Sequence, residues 1–456
     1  MRKLVFVIIS FFNTAMLFAQ NDDSIFIRRI ADEILVNGKA YENLRYLTKQ
    51  IGGRLAGSPQ MVKAEQWGLK VMMGSGADKS WLQECMVPHW VRGGQDQARA
   101  DYRKGKKTLD IVALGNSMGT GTKGVRAEVI EITTFEDLEM KQDKIKGKIV
   151  FYNYKFNPKF IKTFLSYGDA VPYRGQGASR AAKYGAVAVI VRSMTHSTDN
   201  NPHTGAMNYI DSISNRRIPA VAIGLRDADW LSNLLQNESV HVFFTTNGHF
   251  LPDTVGHNVI GELTGSQFPD QVITVGGHLD SWDVAEGAHD DGTGCVQTIE
   301  ILKTFKSLHY TPKHTIRFVL FANEENGSRG GDKYTEEAKI KREKHIFALE
   351  SDAGGFTPRG FGFTIPDSLF QKVLSWKELF FPYGGSEFTR GGGGSDIGPL
   401  NRTFGTTLAG LSPDSQRYFD LHHARNDVFE SVNKRELELG AINMAALVYL
   451  VDKYGL

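Results

Sequence analysis

The chain has 456 residues, 41% hydrophobic and 23% charged, with 53 Lys and Arg against 51 Asp and Glu. That composition excludes a wholly disordered chain, a collagen-like repeat and a multi-span membrane protein, and the length implies about two or three domains. The balanced charge supplies no global field for nucleic acid or anionic lipid, so neither is an expected partner and function should sit in a local site.

Met1-Arg2-Lys3, the mostly apolar run Leu4 to Phe18 and the small-residue junction Ala19-Gln20 read as a secretory signal peptide over residues 1–19. The apolar run is shorter than the ~20 residues a membrane span requires, which ranks an uncleaved anchor second. Cleavage removes Arg2 and Lys3, leaving a secreted or periplasmic chain that is formally neutral and free of the membrane. Cys85 and Cys295 are too few for a disulfide framework. Cys295 opens an apolar helical face with Val296, Ile299, Leu302 and Phe305, and reads as a buried, unpaired packing thiol.

Residues 22 to about 95 read mainly as helices: Ile25 to Leu35, Ala40 to Ile51 and Met61 to Gly74, the last two separated by the turn Gly52 to Pro59. From about 98 to 247 the pattern changes to short β-type runs, at Ile111 to Leu114, Val125 to Ile132, Lys148 to Tyr152, Ala186 to Val191 and Ala220 to Ile223. One helix-like stretch interrupts them at Ala178 to Tyr184. The phrases Ile145-Lys146-Gly147-Lys148-Ile149-Val150-Phe151 and Ala181 to Ile190 resemble the protease-associated domain, a β-rich insert of several secreted peptidases. An unrelated α/β subdomain is the alternative.

After residue 255 the acidic and imidazole side chains follow apolar strands. Gln271 to Gly277 runs into His278-Leu279-Asp280, Thr315 to Phe321 into Asn323-Glu324-Glu325, and His345 to Leu349 into Glu350-Ser351-Asp352. Ligands of open α/β sheets bind beyond the carboxyl ends of strands, so three such ends should face one crevice. Between the first two lies the acidic turn Gly287-Ala288-His289-Asp290-Asp291-Gly292-Thr293-Gly294, followed by an amphipathic crossover, Cys295 to Leu308. Singly, each residue has a bland reading: a surface histidine, a helix cap, a solvated loop. Together they suit a borderline-hard divalent ion, with zinc favoured by imidazole. One carboxylate could bridge two ions, and a neighbour left free could take a water proton.

These residues resemble the motif of the co-catalytic dizinc exopeptidases, the group of bacterial leucyl aminopeptidases and glutamate carboxypeptidases, and within it the plasma glutamate carboxypeptidase branch. The matching elements are His278-Leu279-Asp280, Asp290-Asp291-Gly292-Thr293-Gly294, Glu324-Glu325, Asp352, and His423 with Asp427; Asn258 to Leu263 and Ser395 to Pro399 also match. The resemblance implies a mixed, mostly parallel α/β sheet flanked by helices, with a β-rich insert. It implies one zinc on His278 and Asp352, a second on Glu325 and His423, and Asp290 bridging both. Glu324 would be the general base, Asp280 would orient the His278 imidazole, and Asp427 would support the site. Many relatives carry Tyr just before the ligand histidine, where its hydroxyl can stabilise an oxyanion. Here that position is His422, either a donor of that kind or a packing residue.

The implied organisation is a signal peptide (1–19), a catalytic unit in two parts (20–97 and 248–456) and the insert (98–247). Asn433 to Tyr454 should form a packed C-terminal helix. Specificity is less legible. Gly394, Ser395 and Asp396 end a Gly-rich loop that resembles the substrate side of the family. Its amides could receive a peptide carboxylate, and Asp396 or Glu387 a terminal amine. Short peptides, dipeptides first, are the expected substrate, with aminopeptidase and carboxypeptidase readings open and a homodimer plausible from the resemblance. A metal-free binding protein, a phosphoesterase and a zinc glutaminyl cyclotransferase are the competing classes.

Overall fold

The computed structural model describes residues 22–456, so the signal-peptide expectation for residues 1–19 lies outside the described residues. Sixteen strands follow in chain order: β1 Lys79–Val91, β2 Gln97–Tyr102, β3 Gly105–Leu109, β4 Ile111–Ala113, β5 Val125–Ile132, β6 Ile149–Tyr152, β7 Ala188–Arg192, β8 Ala220–Ile223, β9 His241–Thr245, β10 His249–Leu263, β11 Phe268–His278, β12 His314–Phe321, β13 Lys344–Glu350, β14 Pro358–Thr364, β15 Glu387–Arg390 and β16 Thr407–Pro413. They form two eight-stranded sheets. One has the order β1-β10-β12-β11-β13-β16-β14-β15, the other β3-β2-β9-β5-β6-β7-β8-β4.

The centre of the first sheet, β12-β11-β13-β16, is parallel, and antiparallel strands extend it on both sides. Its middle strands read as near-continuous apolar runs because both faces are covered. Alternate residues divide between the faces: Ile316, Phe318, Leu320, Phe347 and Leu349 pack on one, Val319, Phe321 and Ala348 on the other. The larger face holds the helix over residues 22–37 and the helices Ala40–Tyr46, Pro59–Gly74, Thr293–Ser307 and Lys434–Tyr454, the last matching the expected C-terminal helix. The smaller face holds Arg329–Lys341 and Gly398–Phe404 through Tyr334 and Leu400. This mixed α/β sheet flanked by helices is the architecture expected. Among the described residues no helix is long and apolar enough to cross a membrane.

Two local expectations need correction. Residues 79–91 do not continue the helical region; they form the edge strand β1, antiparallel to β10. Trp81, Val87, Trp90 and Val91 favour a pleated surface, and Pro88 falls where the register shifts between Val87 and His89, a position that tolerates a missing N–H. The stretch Ala178 to Tyr184 is only the end of a 21-residue helix, Thr163–Lys183. Pro172 and the glycines at 168, 175 and 177 lower its intrinsic propensity and disguise it; packing of Tyr173, Ala178, Ala181 and Ala182 compensates.

The second sheet curls so that its edge strands β3 and β4 are separated in the chain by Asp110 alone. Helix Thr163–Lys183 packs on one apolar cluster of it and helix Leu225–Leu235 on the other. Two further clusters join the sheets. Phe156, Ala170 and Met194 meet Phe356, Tyr418 and Phe419, and Ala206 packs on Leu55, Trp90 and Trp282. Cys85 and Cys295 are both buried and free.

Candidate metal centre

The parallel strands point their carboxyl ends at one place. β11 ends at His278, β12 leads through Ala322 and Asn323 to Glu324 and Glu325, and β13 leads to Asp352. The turn Ala288–Gly292 reaches the same place. Gly287 starts it at φ 59°, where a Cβ would fall 2.3 Å from that of Ser281, and the turn leads directly into helix Thr293–Ser307. His422 and His423 arrive on the loop after the short helix Tyr418–Leu421.

His278 Nε2 lies 3.3 Å from Asp290 Oδ1 and 3.4 Å from Asp352 Oδ1. His423 Nε2 lies 3.1 Å from both Asp290 Oδ2 and Glu325 Oε2. Asp290 thus faces two imidazoles with its two oxygens. Among the described residues two groups have the spacing of a metal site, His278-Asp290-Asp352 and Asp290-His422-His423, and they share Asp290. His422 stands beside His423 rather than apart from it. Their rings stack at 3.5 Å, and His422 Nε2 is 3.7 Å from Asp290 Oδ2.

The supports differ in detail from those the resemblance implies. His278 Nδ1 is 3.0 Å from the backbone carbonyl of Asp280 and 3.7 Å from its carboxylate, so the carbonyl is the closer partner that fixes the tautomer. The Asp280 carboxylate instead accepts the backbone N–H groups of Glu324 (3.0 Å) and Glu325 (3.3 Å), fixing the backbone from which Glu324 reaches the rim and Glu325 the buried centre. The Asp427 carboxylate accepts from the backbone of His289 (2.7 Å) and Asp290 (3.2 Å), anchoring the acidic turn. Asp291 does the same for His278 N and Gly294 N.

The charge balance is unusual for a buried site. Burial, with Asp290 alongside, pushes Glu325 up to about 8, and burial with the Asp352 charge does the same to Glu350. Burial, reinforced by Glu324 and Asp290, raises Asp352 to about 6. Burial also disfavours ionised Asp290, but its contacts with His278 and His423 prevail and hold it well below the usual carboxylate range. Those histidines are raised in turn against the effect of burial, His423 to about 9. Burial and neighbouring His423 keep His422 neutral. Glu325 Oε1 is buried without a hydrogen-bond donor, and Asp290 Oδ2 is buried with only the imidazoles of His422 and His423 near it. The carboxylates around His278 and His423 thus favour positive charge at this place, and the donor set fits divalent cations.

A cleft of about 640 Å³ opens from Asp352 along Gly391 to Ser395 and is closed on the far side by Ile161, Lys162 and Phe164 of the second sheet's layer. Gly394 and Ser395 line it. Asp396 does not: it is wholly buried, its amide facing Glu350, and both its carboxylate oxygens lack a donor. A terminal amine in the cleft would meet Glu387 instead.

Sequence reasoning missed Arg54, Tyr167 and Arg174. Arg54 is fully buried and donates to the carbonyls of Leu279, Glu286 and Gly287, tying the strand end to the acidic turn. Its place in a Gly-rich turn before Pro59 was the available signal. Tyr167 and Arg174 come from helix Thr163–Lys183 and had no local motif.

The profile of peptidase family M28 matches residues 258–448, which hold every residue of the two groups. Carboxypeptidase Q of Homo sapiens is 34% identical over 426 residues, covering 92% of this chain and 87% of that protein. The chain belongs to peptidase family M28. Carboxypeptidase Q of Xenopus laevis is similar to the same degree, 34% over 92% of this chain and 88% of that protein. Among solved structures, the peptidase M28 precursor from Shewanella amazonensis SB2B superposes with a TM-score of 0.89 at 30% identity, covering 95% of this chain and 97% of that one. BSAP, a zinc aminopeptidase from Bacillus subtilis, shares the fold at 20% identity and a TM-score of 0.65 over 90% of this chain and 94% of its own. As an M28 peptidase the chain is a hydrolase of peptide bonds, and the shared carboxylate of Asp290 lies inside the matched segment.

Proposed function

We propose that this M28 peptidase is an exported dizinc exopeptidase acting on short peptides, dipeptides first. Asp290, facing an imidazole with each oxygen, carries the reading. His278, Asp290 and Asp352 would hold one zinc; Asp290, Glu325 and His423 the other, with His422 alongside. Bound there, the ions supply Lewis acidity to the scissile carbonyl and to water. Glu324, half-buried at the rim with its amide fixed by Asp280, takes the proton of the attacking water and returns it to the leaving amine. The amides of Gly391 to Gly394 and the carboxylate of Glu387 are the polar groups placed to receive the two termini of a short peptide.

Signal cleavage after residue 19, a catalytic unit of residues 20–97 and 248–456, a protease-associated insert over 98–247 and a homodimer belong to the same proposal. The names of the carboxypeptidase Q relatives and of the zinc aminopeptidase support its chemistry. A phosphoesterase is disfavoured because the arginines near the cleft are paired, Arg359 with Asp414, Arg390 with Asp367 and Arg425 with Asp110, while Arg174 is turned to His423 Nδ1 and the Tyr167 hydroxyl.

Glu324→Gln tests the core of the reading. Zinc content should stay at two per chain while dipeptide turnover falls by at least about 10³-fold; near wild-type turnover would refute it. Substrates acetylated at the N-terminus or amidated at the C-terminus then decide the branch. Rejection of both supports a dipeptidase, whereas cleavage of acetylated or amidated peptides establishes carboxypeptidase or aminopeptidase action respectively.

A further inference from the structure

Helix Thr163–Lys183 lays one stripe against the metal centre. Phe164, Tyr167, Val171 and Arg174 recur at helical spacing on that face. Phe164 lines the cleft that opens from Asp352. Ten residues on, Arg174 is buried with its Nη1 3.4 Å from His423 Nδ1, and it is clamped there by Gly205, where a Cβ would fall 2.5 Å from the guanidinium. Tyr167, between them in the chain, packs against His422 at the metal centre.

The Tyr167 ring is fixed on both sides. It stacks on Phe419 with centroids 4.8 Å apart and meets His422 edge-on at 5.1 Å. Its oxygen accepts a 2.6 Å hydrogen bond from Arg174 Nη2. A guanidinium can only donate, so the phenol proton is turned away from Arg174 and has no acceptor among the described residues. Phenol is protonated at neutral pH, and a cationic donor on its oxygen makes it the stronger donor. His422, against which Tyr167 is packed, stacks in turn on His423 at 3.5 Å and has its Nε2 3.7 Å from Asp290 Oδ2.

We propose that Tyr167, polarised by Arg174, donates its hydroxyl hydrogen bond to the scissile carbonyl oxygen as that oxygen gains negative charge. The proposal rests on the exopeptidase reading above. The attacking water forms its bond to carbon, the carbonyl electron pair moves to oxygen and is met by the Tyr167 O–H, and Glu324 holds the water proton until the C–N bond breaks and the amine takes it. Tyr167 contributes no proton of its own. Its geometry also gives the inserted layer a catalytic part rather than a merely steric one.

A donor that acts on the developing oxyanion lowers kcat when removed and leaves ground-state binding alone. Tyr167→Phe should lower kcat on the best dipeptide by about 10²-fold, with KM within about threefold and two zinc ions retained. Affinity for a phosphinic dipeptide, which mimics the tetrahedral state, should fall in parallel with kcat across wild type, Tyr167→Phe and Arg174→Met. Tyr418→Phe is the matched control, since Tyr418 also approaches His422, at 5.2 Å, but carries no arginine on its oxygen. A kcat within threefold of wild type in Tyr167→Phe, measured on a dipeptide that the wild type cleaves, overturns the assignment and leaves the peptidase reading standing. So does a loss confined to KM, or a larger kcat loss in Tyr418→Phe.

Discussion

Stripping the metal from the wild-type protein and then raising the pH should destabilise it, because the empty centre is a buried cluster of carboxyls. In the metal-free fold Glu325 and Glu350 stand at about 8, raised by burial and by their acidic neighbours, and Asp352 at about 6. In the unfolded chain each ionises at its ordinary value. Between roughly pH 4.5 and 8 the folded state therefore binds more protons than the unfolded one, and stability falls as pH rises. The two imidazoles act in the same direction: His423, raised to about 9, contributes stability that is full below about 6.5 and lost as pH climbs through 9. Asp290, held low, contributes a constant amount throughout this window. A rise of one pKa unit corresponds to about 1.4 kcal/mol, but these groups relieve one another as each is protonated. The net loss from pH 5 to pH 8 is thus on the order of a few kcal/mol, or a Tm decrease of roughly 5 °C for a chain of this size. Calorimetry in chelator at pH 5, 6, 7 and 8, with and without excess zinc, measures it. Zinc should abolish or reverse the slope, since its ligands bind only when deprotonated. A chelated Tm that is flat or rising across that range would refute the reasoning.

Gly205→Ala puts a methyl within 2.6 Å of His423 Nδ1 at a backbone φ of 122°, and should cut dipeptide turnover at least tenfold while circular dichroism stays native; unchanged kinetics would show that the second sheet's layer can withdraw freely. Arg54→Met leaves three carbonyls, two of them buried, without their donor and should cost about 3–5 kcal/mol in urea denaturation, far more than a surface arginine. Cys85 and Cys295, both buried and free, should react with a thiol reagent only in denaturant, both thiols together and without prior reduction; a need for reductant would reveal a disulfide.

The catalytic half was legible because its chemistry is tied to local pattern. Apolar runs as short as Thr315 to Phe321 read as strands buried on both faces, and ligand-binding residues are then expected beyond their carboxyl ends, as Glu324 and Glu325 are. The sequence by itself thus determined the parallel sheet, the C-terminal helix and the residues that meet around Asp290. It did not reveal β1 as the sheet edge, because its apolar residues are irregularly spaced around a bulge and its partner β10 lies more than 150 residues away. Nor did it reveal that Asp396 is buried against Glu350, that the Asp280 carboxylate holds two backbone amides rather than an imidazole, or that helix Thr163–Lys183 reaches His422 and His423. The physical reason is common to these cases. A motif records which residue types stand near one another in the chain, whereas hydrogen-bond partners and desolvation depend on what packs across the site. Only the tertiary structure brings Tyr167 and Arg174, some 250 residues before the histidines they touch, to the metal centre.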